Sequence, residues 1–115
     1  MKFLVIVNES PWGSTLALTA YRFVRACMES GPEIAAVFFR GDGVYNAVQG
    51  EMTEAGTPDL AEAWQQLAAD RAIRLLLCSS SRLRRLATHP GTGFTDSGLA
   101  ELIELTQDCD RVVTF

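Results

Sequence analysis

The sequence has a single histidine, no CxxC pair and only three cysteines, Cys27, Cys78 and Cys109, scattered along 115 residues. One histidine does not complete a zinc site with thiols at these separations, and an odd number of distant cysteines is no disulfide framework. A reduced, cytoplasmic chain with free thiols and no metal is the plain reading. Neither G-x-G-x-x-G nor G-x-x-x-x-G-K-[ST] occurs, so the common nucleotide-binding fingerprints are missing, and no G-x-S-x-G elbow marks a hydrolase. No low-complexity tract argues for disorder. Basic charge is scarce as well: 10 Lys and Arg against 14 Asp and Glu leave a net charge of −4. That offers no electrostatic footprint for direct nucleic-acid binding. Long apolar runs are absent too. The one in MKFLVIVNESPWG is about five residues, too short for a signal-peptide core or a membrane span, and a turn follows it at once.

What is present is the alternation of one α/β domain spanning residues 1–115. Lys2–Val7 is a continuous apolar run, as expected of a parallel strand covered on both faces. Asn8–Gly13 is turn chemistry. Ser14 or Thr15 then caps a helix to about Ser30, with Leu16, Ala20, Phe23, Val24 and Cys27 on one face. Gly31-Pro32 ends it, and Ile34–Phe39 is a second buried strand. Arg40–Gly43 reads as a loop, Val44–Val48 as a short helical turn, and 49–58 as a mobile surface loop. A helix over Leu60–Asp70 buries Leu60, Ala63, Trp64 and Leu67. A third strand covers Ile73–Leu77. Thr95 or Asp96 is expected to cap a helix from Ser97 to about Gln107, and Asp110–Phe115 is the last strand. The fold class is therefore α/β: a three-layer sandwich with a mainly parallel sheet of about four to five strands and helices on both faces, with strand order 2-1-3-4. Ligand crevices in such sheets lie beyond the carboxyl ends of the strands, at a topological switch point.

The stretch RAIRLLLCSSSRLRR, Arg71–Arg85, is the candidate site. It places Cys78 where a buried strand passes into a helix. Backbone N–H groups of a first helical turn favour negative charge, and Arg82, Arg84 and Arg85 would push the same way, toward a thiolate. The competing reading is a buried packing cysteine. Cys27 and Cys109 read as structural. The turn Ser10–Thr15 (SPWGST) resembles a phosphate-holding loop of flavodoxin-like domains, and equally an ordinary turn with a helix cap. A phospho-acceptor domain would want an aspartate after the third strand, where Cys78 stands. His89 reads as a surface residue rather than a base. Around Cys78, the candidate contacts for substrate or partner are Ser10, Trp12, Gly13, Tyr45, Asn46, Ser79 and Arg82. Phe38-Phe39 and Val44-Tyr45 are candidate interface residues.

Several segments together resemble the DsrE/TusD family of sulfur-relay proteins. They are KFLVIVNESPWG, AAVFFRGDGVYNA, LAEAWQQLA, LLLCSSSRLRR, GFTDSGLAELIEL and CDRVVTF, which span the chain from end to end. The resemblance is closest to the active TusD/DsrE-type subunit, because the cysteine after the third strand is kept. It implies that Cys78 carries sulfane sulfur as a persulfide, received from an upstream carrier thiol and passed to a downstream one, without an organic cofactor. It further implies assembly with related subunits into a hetero-oligomer, or a homo-oligomer. The endpoint it implies is 2-thiouridine in tRNA or, in sulfur oxidisers, dissimilatory sulfur metabolism. The stretch from Arg85 to Gly93 is shorter than in TusD-like chains, which leaves room for a stand-alone homo-oligomer. Two non-relay readings stay open: a phosphate- or nucleotide-binding module at Ser10–Thr15, and a scaffold subunit with a buried, inert Cys78.

Overall fold

The computed structural model describes residues 1–49 and 59–115; segment 50–58, which holds most of the expected surface loop, lies outside the described residues. Five parallel strands form one sheet: β1 Lys2–Val7, β2 Glu33–Phe39, β3 Arg74–Cys78, β4 Phe94–Ser97 and β5 Arg111–Thr114. The connecting helices are α1 Leu16–Ser30, α2 Leu60–Arg71, α3 Ser79–Arg85 and α4 Leu99–Asp108, with a 3-10 segment over Gly41–Ala47 after β2.

Local chemistry explains most of the boundaries. Ser14 Oγ accepts the Leu16 N–H at the start of α1, and Gly31 closes that helix at φ 113°, its N–H reaching Cys27 O at 3.0 Å. Asp59 caps α2 through the N–H groups of Ala61 and Glu62. Strand alternation divides the core in two. Val5, Val7, Val37, Phe39, Leu75 and Leu77 pack with α1 and α2, centred on a fully buried Trp64 that meets Tyr21 and Phe39 edge-on. Leu4, Ile6, Ala36, Phe38, Leu76 and Cys78 face the other way, against Leu102 and Leu105 of α4.

Two expectations are corrected. The strand order is β4-β3-β2-β1-β5, so β1 lies between β2 and β5 rather than between β2 and β3. The order reverses between β1 and β5, which leaves Cys78, at the end of β3, away from the switch point. The pairing of β3 with β2 rather than with β1 sets that order. Residues 94–97 (FTDS) look like a helix cap, yet they form a strand, and the helix starts only at Leu99 behind Gly98. Only Phe94 and Ser97 of that strand are buried, so its sequence carries no apolar run; the ladder against β3 decides it. The expected interface residues are corrected as well. Phe38, Phe39 and Val44 are fully buried, the two phenylalanines because helices cover both faces of the sheet there, and Val44 because the 3-10 segment packs it into the cluster around Trp64.

The chain turns sharply after β2, and Gly43 makes the turn possible. A Cβ there would lie 1.9 Å from the Val7 carbonyl oxygen, inside backbone that has no room to yield. Gly43→Ala is therefore expected to destabilise the fold by about 2–3 kcal/mol, measured by urea unfolding; an unchanged midpoint would show that the backbone relaxes freely here.

Candidate active site

Because all strands run parallel, the segments that follow β1, β2 and β3 leave the same edge of the sheet, and polar contacts tie them together. Asn46 is fully buried and donates from Nδ2 to Glu9 O (2.9 Å) and Gly43 O (2.8 Å), joining the segment after β1 to the 3-10 segment. The Gly41 N–H donates to Ser81 Oγ at 2.9 Å, and Arg85 Nε donates to Asp42 Oδ1 at 2.8 Å, joining the 3-10 segment to α3. On its other flank α3 is held to β4 by Arg82, whose Nε and Nη2 both reach the carboxylate of Asp96, at 2.7–2.9 Å.

Cys78 ends β3 and is the cap residue of α3 (φ −57°, ψ 117°). It is only 3% exposed. Burial alone would push its thiol up, but the hydroxyls of Ser80 and Ser81, followed by their backbone N–H groups, outweigh that and hold it below its ordinary value. Ser80 Oγ lies 3.4 Å from Sγ. Ser81 Oγ accepts from Gly41, which leaves its own proton to donate. The other two thiols move the opposite way. Burial raises Cys27, and it raises Cys109, where neighbouring carboxylates add to the effect against Lys2.

The expected source of the thiolate therefore changes. Two arginines of α3, Arg82 and Arg85, are committed to Asp96 and Asp42, and the third, Arg84, is exposed. Ser80 and Ser81 supply the stabilisation. They were visible in the sequence as a serine run directly behind the cysteine, but which of the three hydroxyls turns back to it depends on the helix geometry. Ser79 is half-buried at the first helical position.

The remaining predicted residues gather elsewhere on the same edge. Ser10 Oγ donates to Trp12 O (2.8 Å) and accepts the Trp12 N–H, while Trp12 packs on Tyr45 with ring centroids 5.7 Å apart. Gly13 is exposed at φ 74°. The hydroxyls of Ser10 and Ser14 are thus spent within the turn and on the start of α1. Cys109 lies just before β5 and Cys27 in the last turn of α1. Both sit at the opposite edge of the sheet, some seven strand positions or about 20 Å from Cys78 at the usual rise per residue. Neither can resolve a Cys78 intermediate as an internal disulfide.

Changing both Ser80 and Ser81 to alanine is expected to raise the Cys78 titration midpoint by about one unit or more, since each lost hydrogen bond to a charged acceptor is worth about 1.5–3 kcal/mol. Ultraviolet thiolate absorbance against pH would show it; an unmoved midpoint would remove the serines from the explanation.

Comparison with known proteins identifies the family and the fold. The DsrE/DsrF-like family matches residues 1–115. The chain is 36% identical to sulfurtransferase TusD from Yersinia pestis and to that from Yersinia pseudotuberculosis, with 100% of this chain and 98% of each relative covered. Those alignments run over 128 positions against 115 residues here, so the relatives carry residues that this chain lacks. The crystal structure of the ychN protein from E. coli shares the fold, with a TM-score of 0.85 at 24% identity, over 100% of this chain and 99% of that one. A full-length match of sequence and architecture places the chain in the DsrE/DsrF-like family.

Proposed function

We propose that this single-domain protein is a sulfurtransferase that carries sulfane sulfur on Cys78 and relays it between protein thiols. The observation that carries the reading is a cysteine held toward thiolate by Ser80 and Ser81 at the carboxyl edge of β3, in a chain whose relatives are named sulfurtransferases. A donor persulfide brings its outer sulfur to Cys78 Sγ. The thiolate attacks it, a new S–S bond forms, and the donor's own S–S bond breaks, its electron pair leaving on the donor's inner sulfur. A downstream thiolate then attacks the outer sulfur on Cys78, and Cys78 departs as thiolate. No oxidant or reductant is consumed, because the sulfane sulfur keeps its oxidation state through both exchanges. The same hydrogen bonds that favour the attacking thiolate make Cys78 a good leaving group in the second step.

Loaded sulfur stands about 2 Å beyond Sγ, at a site where Cys78 itself is covered. On the α3 side the cover is light: α3 contains no buried side chain and is fixed by its polar contacts to the 3-10 segment and β4. The partners are upstream and downstream sulfur carriers, together with related subunits or further copies of this chain. The endpoint proposed is 2-thiouridine in tRNA, as the resemblance to TusD-type subunits implies, with sulfur oxidation as the alternative; the relatives are named sulfurtransferase TusD. Cytoplasmic residence fits the free thiols. Among the described residues no helix is long and apolar enough to cross a membrane.

Intact mass after exposure to a persulfide donor tests the reading. Wild type is expected to gain about 32 Da, one sulfur atom, removable by thiol reductant, and Cys78→Ser to gain nothing. Equal adducts on both proteins, or none on either, would return Cys78 to a packing role.

A further inference from the structure

We infer that Arg40 receives the anionic sulfur donor beside Cys78; this rests on the relay reading and names the residue that orients its substrate. Arg40 follows the last residue of β2 and keeps strand geometry, with φ −121° and ψ 157°, and its N–H continues the ladder to Val7 O at 3.0 Å. The register pairs Phe38 with Leu76 and Phe39 with Leu77, so the next position pairs Arg40 with Cys78. Adjacent strands lie about 4.8 Å apart. Alternation settles the face. Phe38 packs in the same cluster as Leu76 and Cys78, and Arg40, two residues on, projects to that face.

Arg40 is exposed and, among the described residues, its guanidinium makes no ion pair. Three other arginines near the sheet are committed: Arg74 to Glu101, Arg82 to Asp96 and Arg85 to Asp42. The other flank of Cys78 has the opposite character. Ser97 is the register partner of Cys78 on β4, and its hydroxyl is bound to the Glu101 carboxylate. Cys78 thus lies between a strand end that carries an uncommitted arginine, on the β2 side, and a β4 side whose carboxylate, Glu101, is already paired with Arg74.

That asymmetry matters because the donor persulfide and the Cys78 thiolate are both anions, and their encounter is opposed by Coulomb repulsion. A guanidinium at the end of β2 offsets the repulsion and directs the donor in along that strand. It also has charge to offer the outer sulfur of loaded Cys78.

The test compares alkylation of Cys78 by anionic iodoacetate and neutral iodoacetamide, read by peptide mass spectrometry on the full chain. The ratio of the two rates reports the local cation independently of sulfur transfer. Arg40→Gln is expected to lower that ratio about two- to fivefold, the range for one exposed charge pair. Arg40→Lys should keep it, and Arg84→Gln, on exposed α3, should leave it unchanged. An unmoved ratio in Arg40→Gln, an equal fall in Arg84→Gln or in Arg40→Lys, or a Cys78 inert to both reagents would overturn the inference. Loading of wild type from glutathione persulfide separates the two levels. A normal adduct with no change in ratio removes only Arg40, whereas no adduct with the ratio shift intact removes the relay.

Discussion

Four hydrogen-bond donors on two consecutive serines decide what Cys78 is. Its burial would make it an inert packing thiol, and the donors of Ser80 and Ser81 reverse that. The balance depends on where α3 begins. The strand must run through Cys78 itself, so that the next turn brings both serines back over the sulfur. A start displaced by one residue would present a different pair. The rest of the edge serves to hold that start in place.

It is held by polar contacts more than by packing. The Gly41 N–H on Ser81, Asp42 on Arg85 and Asp96 on Arg82 fix α3 from both sides, while Leu83 remains 68% exposed. An element held in this way has little apolar area to lose on opening, and such elements open locally at low cost. A carrier needs that combination. The sulfur is covered at rest, and partner thiols must reach it in turn. Upstream of this, Gly43 and Asn46 keep the 3-10 segment close against the end of β1, so the position of Gly41 is set by the core.

Much of this was legible in the sequence. The apolar runs of β1, β2 and β3 and the helix stop at Gly31 follow from local chemistry, and they sufficed to place Cys78 on the carboxyl edge of a parallel sheet. What escaped was long-range. Residues 94–97 carry cap-like chemistry and become a strand only because β3 offers an unpaired edge. The pairing of β3 with β2 rather than with β1, which sets the order of the sheet, has no local signal either. The arginines behind Cys78 suggested a cationic pocket, but their carboxylate partners, Asp42 and Asp96, lie 43 and 14 residues from them in the chain, and no local pattern links them. Arg40 was hidden for the same reason: its place beside Cys78 is a matter of register, which apolar periodicity does not specify.

The most direct measurement is the pH dependence of iodoacetamide labelling at each of the three cysteines in the native protein, resolved by peptide. Sulfur chemistry at Cys78 requires its midpoint to fall below the ordinary cysteine value of about 8.5, with Cys27 and Cys109 above it. Its reactivity should then persist as pH falls to where the other two thiols are silent. A Cys78 midpoint at or above those of Cys27 and Cys109 would contradict the assignment, because the serines would then not be holding a thiolate.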